Sequence, residues 1–236
     1  MQFGDGTRAA TNAEGRRREI LAAAVRVIAA GGADAVTHRR VAAEARVPLG
    51  SLTYYFESRE DLIREAFRLY IDEATAFLLA VEREIPPTSV ADLVDLIVEI
   101  MRREFMQPEL LRAEYEMILH ASRDEQVARA YAGWERGLES RLAAPLEALG
   151  AGRPLAAART ILHLVRGYEL EQIAHHAEEA SEFRSRLKSV VEMLVGSQAT
   201  SLSRKAVYGS ESNRMRVGEP RRTAEAKQSN QRRTHQ

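Results

Sequence analysis

The segment Thr37–Phe56, THRRVAAEARVPLGSLTYYF, decides the fold that we expect for this chain. Its apolar residues are spaced as two helical stripes that meet at a turn: Val41, Ala42, Ala45, Val47, Leu52 and Phe56. A stripe of this spacing is typical of a helix that buries one face. Two short helices joined by a tight turn predict a helix-turn-helix, with the second helix presented outward.

The outward positions of the second helix lack the Lys and Glu that are typical of a solvated face. They are Leu49, Gly50, Ser51, Thr53, Tyr54 and Tyr55. Hydroxyl, methyl and aromatic groups suit base edges and phosphates, and the second helix of a helix-turn-helix enters the major groove of double-stranded DNA. Thr37 is a good N-cap for the first helix. Arg39 follows in the first turn, where a cation opposes the helix dipole, so we expect a phosphate to favour it.

This segment and the following SREDLIREAF resemble the DNA-binding domain of the tetracycline-repressor (TetR) family. The resemblance extends over Arg17–Ala66. It departs from the family pattern at Arg46, where the turn usually has glycine, and at Thr53 and Tyr55, which replace the usual Tyr and His. It implies an all-α fold of about nine helices, with an N-terminal three-helix helix-turn-helix domain and a C-terminal helical ligand-binding and dimerisation domain.

Composition and charge divide the chain into segments. The net charge is zero overall, but it is +2 over residues 1–60, −8 over 61–196 and +6 over 197–236. A DNA-binding head followed by an acidic body is consistent with this asymmetry, as is ordinary surface charge. We expect a flexible arm at 1–15, the helix-turn-helix domain at 16–60, an effector-binding and dimerisation domain at 61–196, and a disordered basic tail at 197–236.

The chain has 236 residues and no cysteine, which excludes disulfides and thiolate metal sites. We expect no membrane span, because no run of about 18 apolar residues occurs. The N-terminus has no apolar core typical of a secretory signal, so we expect a cytoplasmic protein.

Local signals predict where helices begin and end. Helix 1 is expected over Arg17–Ala30, and the last helix over Ser181–Val195. Serine followed three residues later by an acid is a capping box, which predicts helix starts after Ser58, Ser89 and Ser122.

The resemblance implies that the middle helices enclose a pocket for an unknown small-molecule effector, with no cofactor. A pocket combines apolar walls with a few polar groups, and the candidate residues have that mixture: Met101, Phe105, Tyr115, His120, Trp134, His163, Arg166 and Tyr168. The spacing of His163, Arg166 and Glu169 at i, i+3 and i+6 predicts one polar stripe.

The last two helices each have a strong apolar face: Leu162, Val165, Ile173, Phe183, Leu187, Val190, Val191 and Leu194. The resemblance implies that these faces form a four-helix homodimer interface, and a two-fold dimer would double the DNA site. The alternative is that they only close the core of the monomer.

The resulting hypothesis is a ligand-responsive repressor, not an enzyme, that binds a palindromic operator as a dimer. Leu49, Gly50, Ser51, Thr53 and Tyr54 would face bases and sugar-phosphate. Tyr54, Tyr55, Thr37, Arg39 and Arg59 would hold phosphates, which positions the protein without reading sequence.

Two other classes of protein remain open. Glu171, His175 and Glu179 have a spacing that brings metal ligands together, which would fit a helical metal-dependent hydrolase. A solvated helix end explains them more simply, and no nucleophile–base pattern occurs. The third class is a non-sequence-specific DNA-binding protein.

Overall fold

The structure is a computed structural model that describes the backbone of residues 5–175 and 180–211 and the side chains of 13–174 and 180–196. These residues form nine α-helices and no strand, which confirms the all-α prediction. The helices are α1 (Asp5–Gly31), α2 (His38–Ala45), α3 (Leu49–Tyr55), α4 (Arg59–Glu84), α5 (Val90–Phe105), α6 (Pro108–Ala121), α7 (Glu125–Ala148), α8 (Pro154–His175) and α9 (Ala180–Glu211). A short 3-10 helix, Ala33–Ala35, follows α1.

Side-chain caps fix the starts of α2, α4 and α5. The Thr37 hydroxyl accepts a hydrogen bond from the Arg40 amide at 3.1 Å, and the Ser58 hydroxyl accepts one from the Asp61 amide at 3.0 Å. Ser89 caps α5 in the same way. Each cap satisfies an amide that the first turn of a helix leaves without an intrahelical partner. The helix starts predicted after Ser58 and Ser89 are therefore confirmed.

The start predicted after Ser122 is wrong by two residues. The Ser122 hydroxyl donates back to the Leu119 carbonyl at the end of α6. Asp124 caps α7 instead, and its carboxylate accepts from the amides of Gln126 and Val127 at 2.9 and 3.1 Å. Asp124 also accepts a hydrogen bond from Arg64 of α4, which ties the long helix to the start of α7.

The structure also differs from the prediction at both ends of the chain. Helix α1 begins at Asp5, within the segment expected to be a flexible arm, and α9 continues to Glu211, beyond Val195. No proline interrupts either segment, and both contain alanine, which favours helix. The remainder of the predicted tail, 212–236, lies outside the described residues.

The turn between α2 and α3 places Arg46 in the left-handed region, with φ 55° and ψ 44°. The Val47 amide donates to the Ala42 carbonyl at 3.0 Å, which closes the helix end as a Schellman-type motif does. A left-handed residue at this position is usually glycine, because a side chain there costs about 1 kcal/mol.

We therefore expect Arg46→Gly to raise the free energy of unfolding by about 0.5–1 kcal/mol, less any backbone entropy that glycine adds to the unfolded chain. Urea denaturation measures the change. Ala43→Gly, at an exposed position inside α2, is the control and is expected to lower stability by about 1 kcal/mol. Equal losses from both variants would contradict the strain assigned to Arg46.

Two groups of buried residues form the core. One is built from α1 to α4 and extends into the body through Ala113, Met117 and Val127. The other joins α5, α7, α8 and α9 around residues such as Leu93, Leu146 and Phe183. The first group therefore crosses residue 60, where the sequence predicts a domain boundary.

Candidate DNA-binding surface and effector cavity

Helix α3 packs on the core with one face and leaves the other exposed. Leu52 and Phe56 are buried, as the apolar spacing predicts, and belong to the core formed by α1 to α4. On the other face, Leu49 is 49% and Tyr54 is 81% exposed. This combination gives a short, rigid helix with an uncharged outer surface.

The remaining predicted DNA contacts lie around that surface with differing exposure. Gly50, Thr53, Thr37 and Arg39 are exposed, whereas Ser51 and Tyr55 are half-buried. The Thr53 hydroxyl donates to the Gly50 carbonyl at 3.1 Å, so a base contact by this hydroxyl would replace or share that bond. The Tyr55 ring packs against the core beside Phe56. Tyr55 therefore packs partly against the core and is less accessible than Tyr54.

Arg59, for which the sequence predicts a phosphate contact, forms hydrogen bonds within the protein. Its guanidinium donates to the backbone carbonyls of Val36 and Ala33, both at 2.8 Å. It also approaches Asp34 and Glu60. At the first turn of α4, this side chain points toward the connection between α1 and α2, where the Ala33 carbonyl also accepts a hydrogen bond from the Val36 amide at 3.1 Å. These bonds hold that connection in place, and the phosphate contact of Arg59 stays a prediction.

Five helices, α4 to α8, enclose a cavity of about 480 Å³ in the body. This volume lies within the range of small-molecule sites. Apolar side chains form most of its wall: Leu78, Leu79, Leu93, Leu96, Ile97, Ile100, Met101, Leu138, Leu142, Ile161, Leu162 and Val165. Trp134 also lines it, and its buried indole nitrogen has no hydrogen-bond partner among the described residues.

Three acidic side chains line the part of this cavity that we call its inner end, where two of them are almost fully buried. Glu104, Glu114 and Glu169, from α5, α6 and α8, all line it. The Tyr70 hydroxyl donates to Glu114 at 2.8 Å, and the Tyr115 hydroxyl donates to Glu169 at 2.7 Å. These bonds fix the direction of two carboxylates inside an apolar wall.

Burial disfavours the charged form of these carboxylates. Burial, and next the Glu114 carboxylate, raise the pKa of Glu169 to about 8. Burial and the neighbouring Glu169 raise the pKa of Glu104 well above its ordinary value. Burial also raises the pKa of Glu114, although the hydrogen bond from Tyr70 opposes this effect. Near neutral pH, Glu169 therefore favours its protonated form, whereas an exposed glutamate would be ionised.

The structure brings three of the predicted effector residues to the cavity, namely Met101, Trp134 and Arg166. Tyr115 acts indirectly, because it orients Glu169. His163 is exposed. At 100° per residue, positions i and i+6 lie about 120° apart on a helix, so the stripe predicted for His163, Arg166 and Glu169 does not exist.

Three other predicted effector residues lie elsewhere. Phe105 and Tyr168 form an edge-to-face pair, and Tyr168 stacks on Phe183 with ring centroids 4.0 Å apart, in the core between α8 and α9. His120 lies beside Phe67 and lines a small polar pocket near the head. Their aromatic rings made them candidates for ligand contacts, but in the structure these rings pack against other aromatic side chains.

Two acidic residues of the site, Glu104 and Glu114, were missed. A signal for them is present in the sequence, because each lies in register with an apolar stripe. Glu104 follows Ile97 and Met101 at helical spacing, and Glu114 stands between the buried residues Leu111 and Met117. A carboxylate at a position where the pattern requires an apolar residue needs a partner or a function.

The predicted dimer residues separate into three groups. Phe183, Leu187 and Val191 are almost fully buried in the monomer core, and Leu162 and Val165 line the cavity, which corrects their assignment. Val190 and Leu194 are half-buried, while Ile173 is 40% exposed. The exposed apolar residues of these helices also include Leu170 and Met193, which are not among the predicted dimer residues.

The possible metal ligands Glu171, His175 and Glu179 remain untested. Glu171 is exposed, and the side chains of the other two lie outside the described residues. None of the described helices is both long enough and apolar enough to cross a membrane.

Two family models match this chain. The model described as "Bacterial regulatory proteins, tetR family" matches residues 20–66, and "Tetracyclin repressor-like, C-terminal domain" matches residues 88–197. No curated protein sequence matches significantly.

Solved structures of similar fold include a transcriptional regulator from Rhodococcus sp. Rha1, with a TM-score of 0.67 and 20% identity over 77% of this chain and 96% of that chain. A member of the TetR family from Streptomyces coelicolor A3 has a TM-score of 0.56 and 28% identity, over 74% and 97%. The multidrug binding protein EbrR complexed with ethidium has a TM-score of 0.57 and 28% identity, also over 74% and 97%. The two models together extend over the α3 surface and most of the helices around the cavity, and the chain belongs to the TetR family of bacterial transcriptional regulators.

Proposed function

We propose that this ligand-responsive, DNA-binding regulator is a repressor, which binds a two-fold operator in the cytoplasm as a homodimer and releases it when a small molecule occupies the cavity. One observation carries the proposal. An exposed, uncharged helix-turn-helix surface and an apolar cavity occur in one chain, and α4 and α6 contribute to the core under the first and to the lining of the second.

The outer face of α3 enters the major groove. Leu49 at its start meets a thymine methyl, and Thr53 meets a base edge. Tyr54, from the same face, reaches the sugar-phosphate backbone, and Arg39 supplies a charged phosphate contact. Arg39 is exposed, and its side chain forms no hydrogen bond or ion pair with another described residue, so its charge is available.

Two copies of the chain associate through the exposed apolar residues of α8 and α9, which include Leu170, Ile173 and Met193. A single α3 contacts only a few base pairs, and a two-fold dimer presents two such helices to successive major grooves. The buried residues of these helices fix the helices in each protomer.

The Tyr70–Glu114 hydrogen bond offers a route from cavity to head. Tyr70 belongs to the core under the DNA-binding surface, and Glu114 lines the cavity. An occupant that moves Glu114 disturbs a buried bond at the base of the head. A coupling of about 1–3 kcal/mol between the two sites is typical for such regulation. The EbrR complex with ethidium shows that a relative of similar fold holds a small molecule.

A gel-shift titration tests the proposal, with the DNA that flanks the protein's own gene, random DNA as competitor and two salt concentrations. Specific recognition predicts that binding to the flanking DNA is stronger than binding to random DNA by about a thousandfold or more. Equal binding to both DNAs would indicate a non-specific DNA-binding protein and contradict the proposal.

Tyr54→Ala is expected to weaken operator binding by about tenfold or more, because it removes the most exposed aromatic side chain of α3. The melting temperature should not change, since Tyr54 is 81% exposed. Fluorescence anisotropy with labelled operator measures the affinity. Tyr54→Phe is the matched control, because it keeps the ring and removes only the hydroxyl. Unchanged affinity in both variants would place the DNA contact elsewhere.

A further inference from the structure

The inner end of the cavity carries more acidic than basic groups. Glu114 and Glu169 are only 8% and 6% exposed, and Glu104 is half-buried beside them. Arg166 is the cation that lines this end, and its guanidinium donates to Glu135 at 2.5 Å. One guanidinium therefore stands among four carboxyl groups.

The other cations of the lining do not correct this imbalance. Arg141 donates to Glu82 at 3.2 Å, and Arg83 is exposed on the last turn of α4. Burying several carboxylates without cations costs free energy, so such groups either hold protons or bind a positive charge.

In the empty cavity these groups hold protons. Glu104 and Glu169 both line the cavity, and the negative charge of Glu169 adds to burial in raising the pKa of Glu104. Burial is the first cause of the raised pKa in both groups, and it favours a bound proton in this part of the empty cavity. The empty cavity thus keeps a removable proton beside its apolar wall.

The rest of the cavity fits an apolar body. Its wall is mostly Leu, Ile and Val from α4, α5, α7 and α8, around a volume of about 480 Å³. The indole of Trp134 adds an aromatic surface, which attracts a cation that lies over the ring. An apolar chamber of this kind favours a ligand whose charge is at one end or is spread over a large apolar surface.

We propose that the effector is an amphipathic organic cation, whose positive group lies against the Glu104–Glu169 pair and whose apolar part fills the chamber. This inference rests on the proposed ligand-responsive function and specifies the chemical class of its ligand. The incoming cation replaces a proton held by Glu169, which leaves to solvent, so the net charge of the buried cluster is preserved. Neutral and anionic molecules of the same shape offer no such exchange.

Calorimetric titration of the full chain, without DNA, tests the class of ligand. Tetraphenylphosphonium and tetraphenylborate, as a chloride and a sodium salt, are closely matched in size and apolar surface and differ in the sign of the charge. We expect the cation to bind at least about tenfold more tightly than the anion, which corresponds to about 1.4 kcal/mol. Ethidium serves as a flat cation. Comparable or tighter binding of tetraphenylborate than of both cations would overturn the proposal.

Glu169→Gln locates the interaction. The substitution keeps the size of the side chain and removes its negative charge, so tetraphenylphosphonium should bind roughly ten- to a hundredfold more weakly. Glu109→Gln removes one exposed carboxylate at the start of α6, outside the cavity, and should leave the affinity unchanged. Equal affinities of the cation for the wild type and Glu169→Gln, with both folded by circular dichroism, would overturn the proposed site.

The exchange of a proton for a cation can be measured separately, through the pH dependence of the affinity and the number of protons released. The ionisable groups around Glu169 are Tyr70 on α4, Glu104 on α5, Glu114 and Tyr115 on α6, Tyr131 and Glu135 on α7, and Arg166 on α8. Since the pKa of Glu169 is raised to about 8, the empty site is protonated below that pH. Affinity for the cation should therefore rise with pH, by at most about tenfold per unit, and level off above pH 8.

Titrations at pH 7 in phosphate and in Tris, which differ in ionisation enthalpy, should show release of close to one proton per bound cation. Affinity that is independent of pH, with no proton release, would contradict the exchange. All these titrations lack DNA, so a failure of operator binding would reject the proposed function without changing their result. Conversely, specific operator binding together with no preference for cations would reject only the inference on the ligand.

Discussion

Replacing Phe183 by alanine should lower the free energy of unfolding by about 3–5 kcal/mol. The ring is 1% exposed and stacks on Tyr168 with centroids 4.0 Å apart. Removing it leaves a cavity that Leu187 and Val191, also fully buried, fill only in part. Urea denaturation at several protein concentrations measures the loss and separates it from effects on association.

The paired control is Met193→Ala on the same helix. Met193 is 63% exposed, so its removal should change the stability of the protomer by no more than about 0.5 kcal/mol. If Met193 contributes to the proposed dimer, this variant should dissociate at higher concentration in analytical ultracentrifugation. A small loss of protomer stability from Phe183→Ala, together with a loss of the dimer, would return Phe183 to the interface that the sequence predicts.

Arg59→Ala is expected to lower the free energy of unfolding by about 2–4 kcal/mol, because it removes hydrogen bonds to the Val36 and Ala33 carbonyls in a partly buried connection, and the Val36 amide still donates to Ala33. Arg59→Lys should recover only a small part, since one ammonium group does not reproduce the two fixed directions of a guanidinium. Thermal and chemical denaturation measure the effect.

Arg39→Ala is the control for charge, because Arg39 is exposed at the start of α2. Its stability should be nearly unchanged, whereas its affinity for DNA should fall on all sequences and the salt dependence of binding should decrease by about one counterion. If Arg59→Ala shows that flatter salt dependence at normal stability, the phosphate role first predicted for Arg59 is correct.

The DNA-binding head could be predicted in detail because its signals are local. Caps at Thr37 and Ser58, the apolar spacing of α2 and α3 and the turn at Arg46 each act within a few residues of one another. Such features depend little on distant parts of the chain, and the structure reproduces them. The start of α7 was misplaced by two residues because Ser122 and Asp124 are both acceptable caps, and only packing selects between them.

The functions of α8 and α9 could not be predicted in the same way. Periodicity shows that Leu162, Phe183 and Leu187 share apolar faces, but not whether those faces are covered by the same chain, a ligand or a partner. The structure places one toward the cavity and two in the core. The burial of Glu104 and Glu114 depends on five helices meeting, which no single helix specifies.

The core that joins α1 to Ala113 and Met117 of α6 has a consequence for engineering. A chimaera of two such regulators would join the DNA-binding domain of one protein to the ligand-binding domain of another. Here a junction near residue 60 would cut through a shared hydrophobic interior and expose apolar surface on both pieces. A useful hybrid would have to transplant the contacting face of α6 together with the head, or redesign that face. With α3 as the proposed DNA-reading helix, changing its outer residues alone leaves this shared interior intact.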